Sequence, residues 1–338
     1  MRRFLPDTFT LMLIATVSLA SVFPVSGPFV GAFGLATKIA IALLFFLHGA
    51  KLSREVMVAG LLHWRLHLTI IAATFALFPI LGLGLGLVPK SILPPALYTG
   101  ILFLCVLPST VQSSIAFTSM AGGNVPASIV AASGSNLIGM LLTPLLAGLL
   151  FSAGGHGGFS LDTLQAIAIQ LLAPFLLGQI LQPWIGGFVR SHKALLGPVD
   201  RGSVLMVVYM AFSESVTQGL WHTLSVRDIA VVIVADTVLL AMVLAITMVS
   251  SRLVGFSRED EITIVFCGSK KSLASGVPMA SAIFAGQAIG GIVLPLMLFH
   301  QIQLMVCAAL AQRWGARNTS GETHAASRER PAAAVARR

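Results

Sequence analysis

The stretch FCGSKKSLASGVP, residues 266–278, lies inside an otherwise apolar run of membrane-spanning length. Two adjacent lysines, Lys270 and Lys271, follow Gly268 and Ser269 and precede Ser272, Ser275 and Pro278. Charged side chains inside a span are costly and face the protein interior or a water-filled cavity. Glycine in a helix costs about 1 kcal/mol relative to alanine. Clustered serines offer freed backbone groups competing hydrogen bonds. The stretch therefore predicts a broken helix, with its polar groups turned into protein.

The rest of the chain supports that frame. Of 338 residues, 56% are hydrophobic and 10% charged, against about 25% charged in soluble domains. A bilayer core takes about 20 apolar helical residues to cross. Runs of that length are expected near 7–25, 31–50, 67–88, 96–120, 125–151, 163–182, 201–220, 228–251, 261–286 and 288–312. They are continuous rather than alternating, which argues for helices over barrel strands. With the N-terminus inside, sixteen of the 21 Lys and Arg residues fall in inner segments; Lys90 and Arg227 lie outside, and Lys38, Lys270 and Lys271 within spans. That bias predicts ten spans with both ends cytoplasmic, in the plasma (inner) membrane. The N-terminal stretch lacks a convincing cleavage site and reads as a retained first helix. Residues 314–338, polar and basic, read as a disordered cytoplasmic tail. The net charge of +9 is spread over short loops and this tail, which argues against a nucleic-acid partner. Cys105, Cys267 and Cys307 show no metal spacing.

Ten spans divide into five and five, 1–152 and 160–313. Because five is odd, the second set crosses in the opposite sense, the geometry of an inverted-topology repeat in secondary transporters. The fourth span, ALYTGILFLCVLPSTVQSSIAFTSMAGG (96–123), is apolar up to Pro108, then carries Ser109, Thr110, Gln112, Ser113 and Ser114. Pro108 superposed on Gly268 aligns this cluster with Ser269, Lys270, Lys271 and Ser272 without a gap. Proline removes a backbone donor and clashes with the preceding turn, so a second broken helix is expected here. Half-helix ends present oriented partial charges, N–H groups to anions and carbonyls to cations. Two breaks from opposed halves would gather four such ends around one point, the expected solute site. The next span of each half is rich in small residues and then contains proline: NVPASIVAASGSNLIGMLLTPLL (124–146), with Ser128, Ser133 and Asn136, and GQAIGGIVLPLMLFHQIQLM (286–305).

On LPSTVQSSIAFTSMAGGNVPASIVAASGSN, FCGSKKSLASGVP and LPLMLFHQIQLM, the chain resembles the bile acid:sodium symporter superfamily, closest to its SBF-like bacterial branch. The resemblance covers about 5–312. It implies ten helices in a four-helix panel and a six-helix core, with helices four and nine unwound where they cross. It also implies sodium ligands, and these are only partly present. Ser113 and Ser114 stand where the symporters have a serine-asparagine pair, Ser128 matches a ligand serine, and Ala132 replaces its threonine companion. The symporters' glutamate falls on Phe266 and their following amide pair on Lys270 and Lys271. One lysine is thus expected to stand in for a sodium ion, as a fixed or proton-titrating cation, or both to bind an anionic substrate.

Other polar residues within spans are Lys38, Glu214, Asp236, His300 and Gln303. Asp236 is a candidate charge partner for a lysine of the ninth span, Lys38 for Glu214, and His300 and Gln303 are candidate site neighbours. The leading reading is a secondary active transporter of a small, anionic organic solute, with Na+ or H+ as coupling ion and no organic cofactor. Its partners are that solute and the lipid bilayer. A cation/proton antiporter and a non-transporting membrane regulator are the alternatives. No HExxH, paired-aspartate or GxSG-like pattern lies in the spans, and no Walker A sequence is present, so an enzyme is not expected.

Overall fold

The computed structural model describes residues 8–51, 63–153, 161–285, 287 and 289–335, in places by backbone alone. Every regular element among them is a helix: α1 Thr8–Val22, α2 Phe29–Lys51, α3 Trp64–Ala72, a π-helical segment Ala73–Leu77, α4 Phe78–Leu85, α5 Pro95–Cys105, α6 Gln112–Met120, α7 Val125–Ala153, α8 Leu161–Ser191, α9 Lys193–Thr217, α10 Leu220–Thr223, α11 Val226–Leu253, α12 Arg258–Gly268, α13 Leu273–Ile283 and α14 Gly290–Val335. Among the described residues, six stretches are long and apolar enough to cross a membrane: Phe29–Ala50, Trp64–Leu85, Val125–Phe151, Ile169–Val189, Val226–Leu253 and Gly290–Ala316. The chain is a polytopic membrane protein, all-helical over its described residues. Their outward faces carry exposed leucines, valines and phenylalanines, as lipid-facing helices do.

Both expected breaks are present. α5 ends at Cys105 and α6 starts at Gln112; α12 ends at Gly268 and α13 starts at Leu273. A third irregularity was not anticipated. Across Ala73–Leu77 the Phe78 N–H reaches back to the Ala73 carbonyl, a π-type bond. Pro79 follows and has no N–H to give. The Thr74 carbonyl is therefore left without a helical donor.

The helices form two packed groups. α1 packs on α9, and α2 on both α8 and α9. α3 to α7 and α11 to α14 pack around the two breaks; α9 joins the groups through α13 and α14, and α8 joins them through α7 and α13. The α2–α8 seam is the closest: a Cβ on Gly49 would strike the Phe175 carbonyl, and one on Gly178 the Phe46 carbonyl. At the first break, Gly139 of α7 serves the same purpose, since a Cβ there would lie 2.7 Å from the Pro108 ring. At the start of α12, Glu261 takes Arg252 and Arg258 at 2.8 Å each, and Asn124 Nδ2 donates to Asp260 Oδ1 at 2.9 Å. These bonds tie α11, α12 and the loop before α7 together.

Two stretches differ from the sequence expectation. The helix over Leu161–Ser191 is longer than the expected 163–182, because Pro174 and Pro183 sit inside it rather than ending it; helices packed in a membrane re-satisfy backbone groups freed by proline. α14 continues to Val335, through residues expected to be a disordered tail. Alanine and arginine have high helix propensity, which the polar composition of that stretch masks. The boundary between the two expected repeats, at 153–160, lies at and beyond the edge of the described residues, as do Arg2, Arg3, Arg54, Arg337 and Arg338 of the charge count.

Candidate functional site: the crossing of the broken helices

The two breaks touch. The Ser272 N–H donates to the Pro108 carbonyl at 2.9 Å, and Ser109 Oγ donates to the Cys267 carbonyl at 2.6 Å. Ser114 Oγ donates to the Phe266 carbonyl at 3.1 Å. Thr110 Oγ1 lies 2.8 Å from Ser113 Oγ and 3.0 Å from Ser114 Oγ. The polar cluster after Pro108 thus saturates carbonyls at the end of α12, as buried backbone at this depth requires.

The freed carbonyls of the first break can be followed one by one. Cys105 and Leu107 accept from Lys271 Nζ, each at 2.8 Å. Val106 accepts from Thr143 Oγ1 at 2.8 Å, Pro108 from the Ser272 N–H, and Ser109 from Asn136 Nδ2 at 2.7 Å. The Ser109 N–H, which would have served Cys105 in a continuous helix, goes to Ser135 Oγ at 3.0 Å. Asn136 Oδ1 also accepts from Ser275 Oγ at 2.8 Å, so one α7 side chain spans both breaks. Gln303 of α14 holds the other side of the crossing. Its Oε1 accepts the Lys271 N–H at 2.8 Å, its Nε2 donates to the Lys271 carbonyl at 2.9 Å, and His300 Nδ1 lies 2.9 Å from that Nε2.

Both lysines are 0% exposed, but they point to different surroundings. Lys271 Nζ donates to three carbonyls, those of Thr74 at 2.7 Å, Cys105 and Leu107, and lies 4.0 Å from the centre of the Phe78 ring. Lys270 Nζ donates to the Ser113 carbonyl at 2.8 Å and lies 3.8 Å from the centre of the Phe117 ring, with Phe266 at 5.6 Å. Among the described residues neither lysine has a carboxylate partner. Carbonyl dipoles and aromatic faces, both attractive to a cation, stand in for one.

The remaining expected site residues divide. Ser128 is buried, donates to the Val125 carbonyl at 2.7 Å, and lends its carbonyl to Cys267 Sγ at 3.9 Å. Gly268 lies against Ala73, and Ser269 is buried beside Lys270 in the break. Gln112 is exposed at the start of α6, and Ser133 is half-buried with no hydrogen bond into the crossing. Lys38 is exposed on α2 and Glu214 half-buried on α9, with no ion pair between them; an outward-facing ammonium meets solvent or headgroups at less cost than a buried pair. Asp236 does not compensate a lysine either. It is 0% exposed, both carboxyl oxygens lack a hydrogen-bond partner, and the lysines have found carbonyls instead. The contributions of Thr74, Ser135 and Thr143 were missed, and Ser275 was read only as part of the polar run after Gly268. The Thr74 signal was readable, in a proline five residues on, while Ser135 is the neighbour of Asn136 in the SGSN run.

An orphaned buried polar atom costs about 1–3 kcal/mol. Asp236→Leu, of similar shape and with nothing to satisfy, is therefore expected to raise the thermal midpoint by about 5 °C. Asp236→Asn, which keeps the unmet polar atoms, should not. Thermal unfolding of the purified variants reads this directly; a lower midpoint for the leucine variant would mean that the carboxyl is held by a stabilising partner.

Comparison with known proteins fits this geometry. Residues 7–316 match the SBF-like CPA transporter family along nearly the whole described chain. The chain belongs to that family. An uncharacterised protein of Pseudomonas aeruginosa, PA2026, is 59% identical over 93% of this chain and 95% of its own length. "Putative symporter YfeH" of Escherichia coli K12 is 54% identical over 91% of this chain and 92% of its own. Rattus norvegicus "Sodium/bile acid cotransporter 7" is 28% identical over 80% and 81%. The resemblance to the bile acid:sodium symporter superfamily therefore holds, and this SBF-like protein is a member of a transporter family.

Proposed function

We propose that this SBF-like protein is a secondary transporter that carries a small organic anion through the crossing by alternating access. In this reading ten helices span the membrane in two inverted five-helix repeats, residues 1–152 and 160–313. α1, α2, α8 and α9 form the panel; the elements around the breaks form the core. Both termini are cytoplasmic in the inner membrane, as the lysine and arginine bias favours, and the protein is a carrier rather than an enzyme.

One observation carries the substrate class. The Lys270 ammonium is buried at the crossing with a single carbonyl bond, on the first turn of α6, a half-helix whose N-terminus has no side-chain cap. An uncapped N-terminus and an ammonium with N–H groups to spare both favour negative charge. Ser113 and Thr110 supply hydroxyls beside them. Lys270 is closed off from solvent, so an anion reaches it only when panel and core part. Na+ and H+ are the two candidate coupling ions. Sodium appears in the name of the rat relative, whereas the Phe266 and Lys270 positions depart from a sodium site. A second reading, cation/proton antiport, is favoured by the unpartnered Asp236 carboxyl.

Flux in proteoliposomes tests these readings. Radiolabelled organic anions, a bile acid among them, would be offered under an inward Na+ gradient, an inward H+ gradient, or neither. Anion uptake above protein-free vesicles that follows one gradient supports the proposal and names the ion. Proton-driven cation movement without anion uptake would replace it by antiport. No flux of either kind would overturn transport at the crossing.

A further inference from the structure

The two lysines have unequal environments, and the difference lies in what each ammonium has left to offer. Lys271 Nζ has three N–H groups and three carbonyl acceptors at 2.7–2.8 Å, from Thr74, Cys105 and Leu107. Each carbonyl is free for a structural reason. Thr74 has lost its helical donors to the π segment and Pro79. Cys105 faces Pro108 three residues on, and the Ser109 N–H is committed to Ser135. Leu107 lies beyond the end of α5. The Phe78 face closes the site at 4.0 Å. Three convergent carbonyl dipoles with an aromatic face and no carboxylate are the surroundings of a singly charged cation.

We infer that the carbonyls of Thr74, Cys105 and Leu107 form a monovalent-cation site, and that the Lys271 side chain fills it with a tethered ion. This deepens the transport reading. It makes Lys271 a fixed cation that clamps the third span to the first break, and leaves Lys270 as the lysine free to meet an anion. The site itself exists whether or not the protein transports, so binding can be tested without flux. Its spacing is set for an ammonium, which is closer in size to K+ than to Na+.

Lys271→Ala removes three methylenes and the ammonium, the outline of n-propylammonium. Purified Lys271→Ala in nanodiscs, with choline as the sole cation, is expected to unfold about 10 °C below the wild type, because three buried carbonyls lose their donor. Added n-propylammonium should restore at least about half of that loss, K+ less, and Na+ least. Wild type and Lys270→Ala should not shift with any of the three. Absence of recovery, or equal recovery in wild type or Lys270→Ala, overturns the site. A second measurement covers the case in which Lys271→Ala cannot be purified. In wild type labelled with 15N-lysine, a fully hydrogen-bonded buried ammonium exchanges its hydrogens slowly enough to give its own NMR signal. That signal should be present and should vanish in Lys271→Gln; a spectrum without it overturns the inference. Either failure would leave anion flux through the crossing untouched, and loss of flux would leave these results standing.

Discussion

Lys270→Met should leave a folded protein that binds organic anions about 100-fold more weakly than the wild type. Methionine nearly matches the lysine stem in length and keeps favourable contact with the Phe117 and Phe266 rings, so the packing around it survives. What disappears is the positive charge at the start of α6. The ammonium makes a single hydrogen bond, to the Ser113 carbonyl, and losing that bond alone costs about 1–3 kcal/mol. A substrate anion that pairs with it in a dry site loses about 3–5 kcal/mol when its partner is truncated, enough for a 100-fold effect or more. Isothermal titration or ligand-induced thermal stabilisation would read it. Unchanged anion affinity would place the substrate away from Lys270.

The second large effect is structural. Gly49→Leu and Gly178→Leu are each expected to abolish recovery of folded, monodisperse protein. At both positions the first side-chain carbon meets a backbone carbonyl of the facing helix, which cannot turn aside as a side chain would. Membrane helices associate through close packing at small residues, and this seam joins α2 to α8 over their shared length. Even alanine should destabilise there. Gly187→Ala, in the same helix α8 with open space around it, is the control and should behave as wild type. Fluorescence-detected size exclusion of the two leucine variants and the Gly187→Ala control is sufficient; normal elution of the leucine variants would mean that the helices do not meet as described.

The breaks were legible because each is written in residue types with strong backbone consequences. Pro108 removes a donor, Gly268 weakens the helix, and a run of hydroxyls follows each. The role of Asn136 and Gln303 was legible only as proximity, because an amide that clamps backbone groups looks like any amide in a small-residue span. The lysine partners were not legible at all. They are main-chain carbonyls, which every residue has, so no side chain of opposite charge marks the place. Asp236 drew attention as a complement to the lysines for the same reason: sequence shows charges, and the carbonyls that satisfied the lysines were invisible. The π segment depends on the spacing of Thr74 and Pro79, a signal of one missing N–H within a smooth apolar run.

The most direct test of the central claim is anion uptake into proteoliposomes by wild type and Lys270→Met side by side, at matched protein content and with each ion gradient imposed in turn. Gradient-dependent uptake by the wild type that Lys270→Met loses, while its thermal midpoint stays within a few degrees, is the expected result. Uptake that proceeds equally in both proteins would contradict a transport site built on the crossing of the two broken helices.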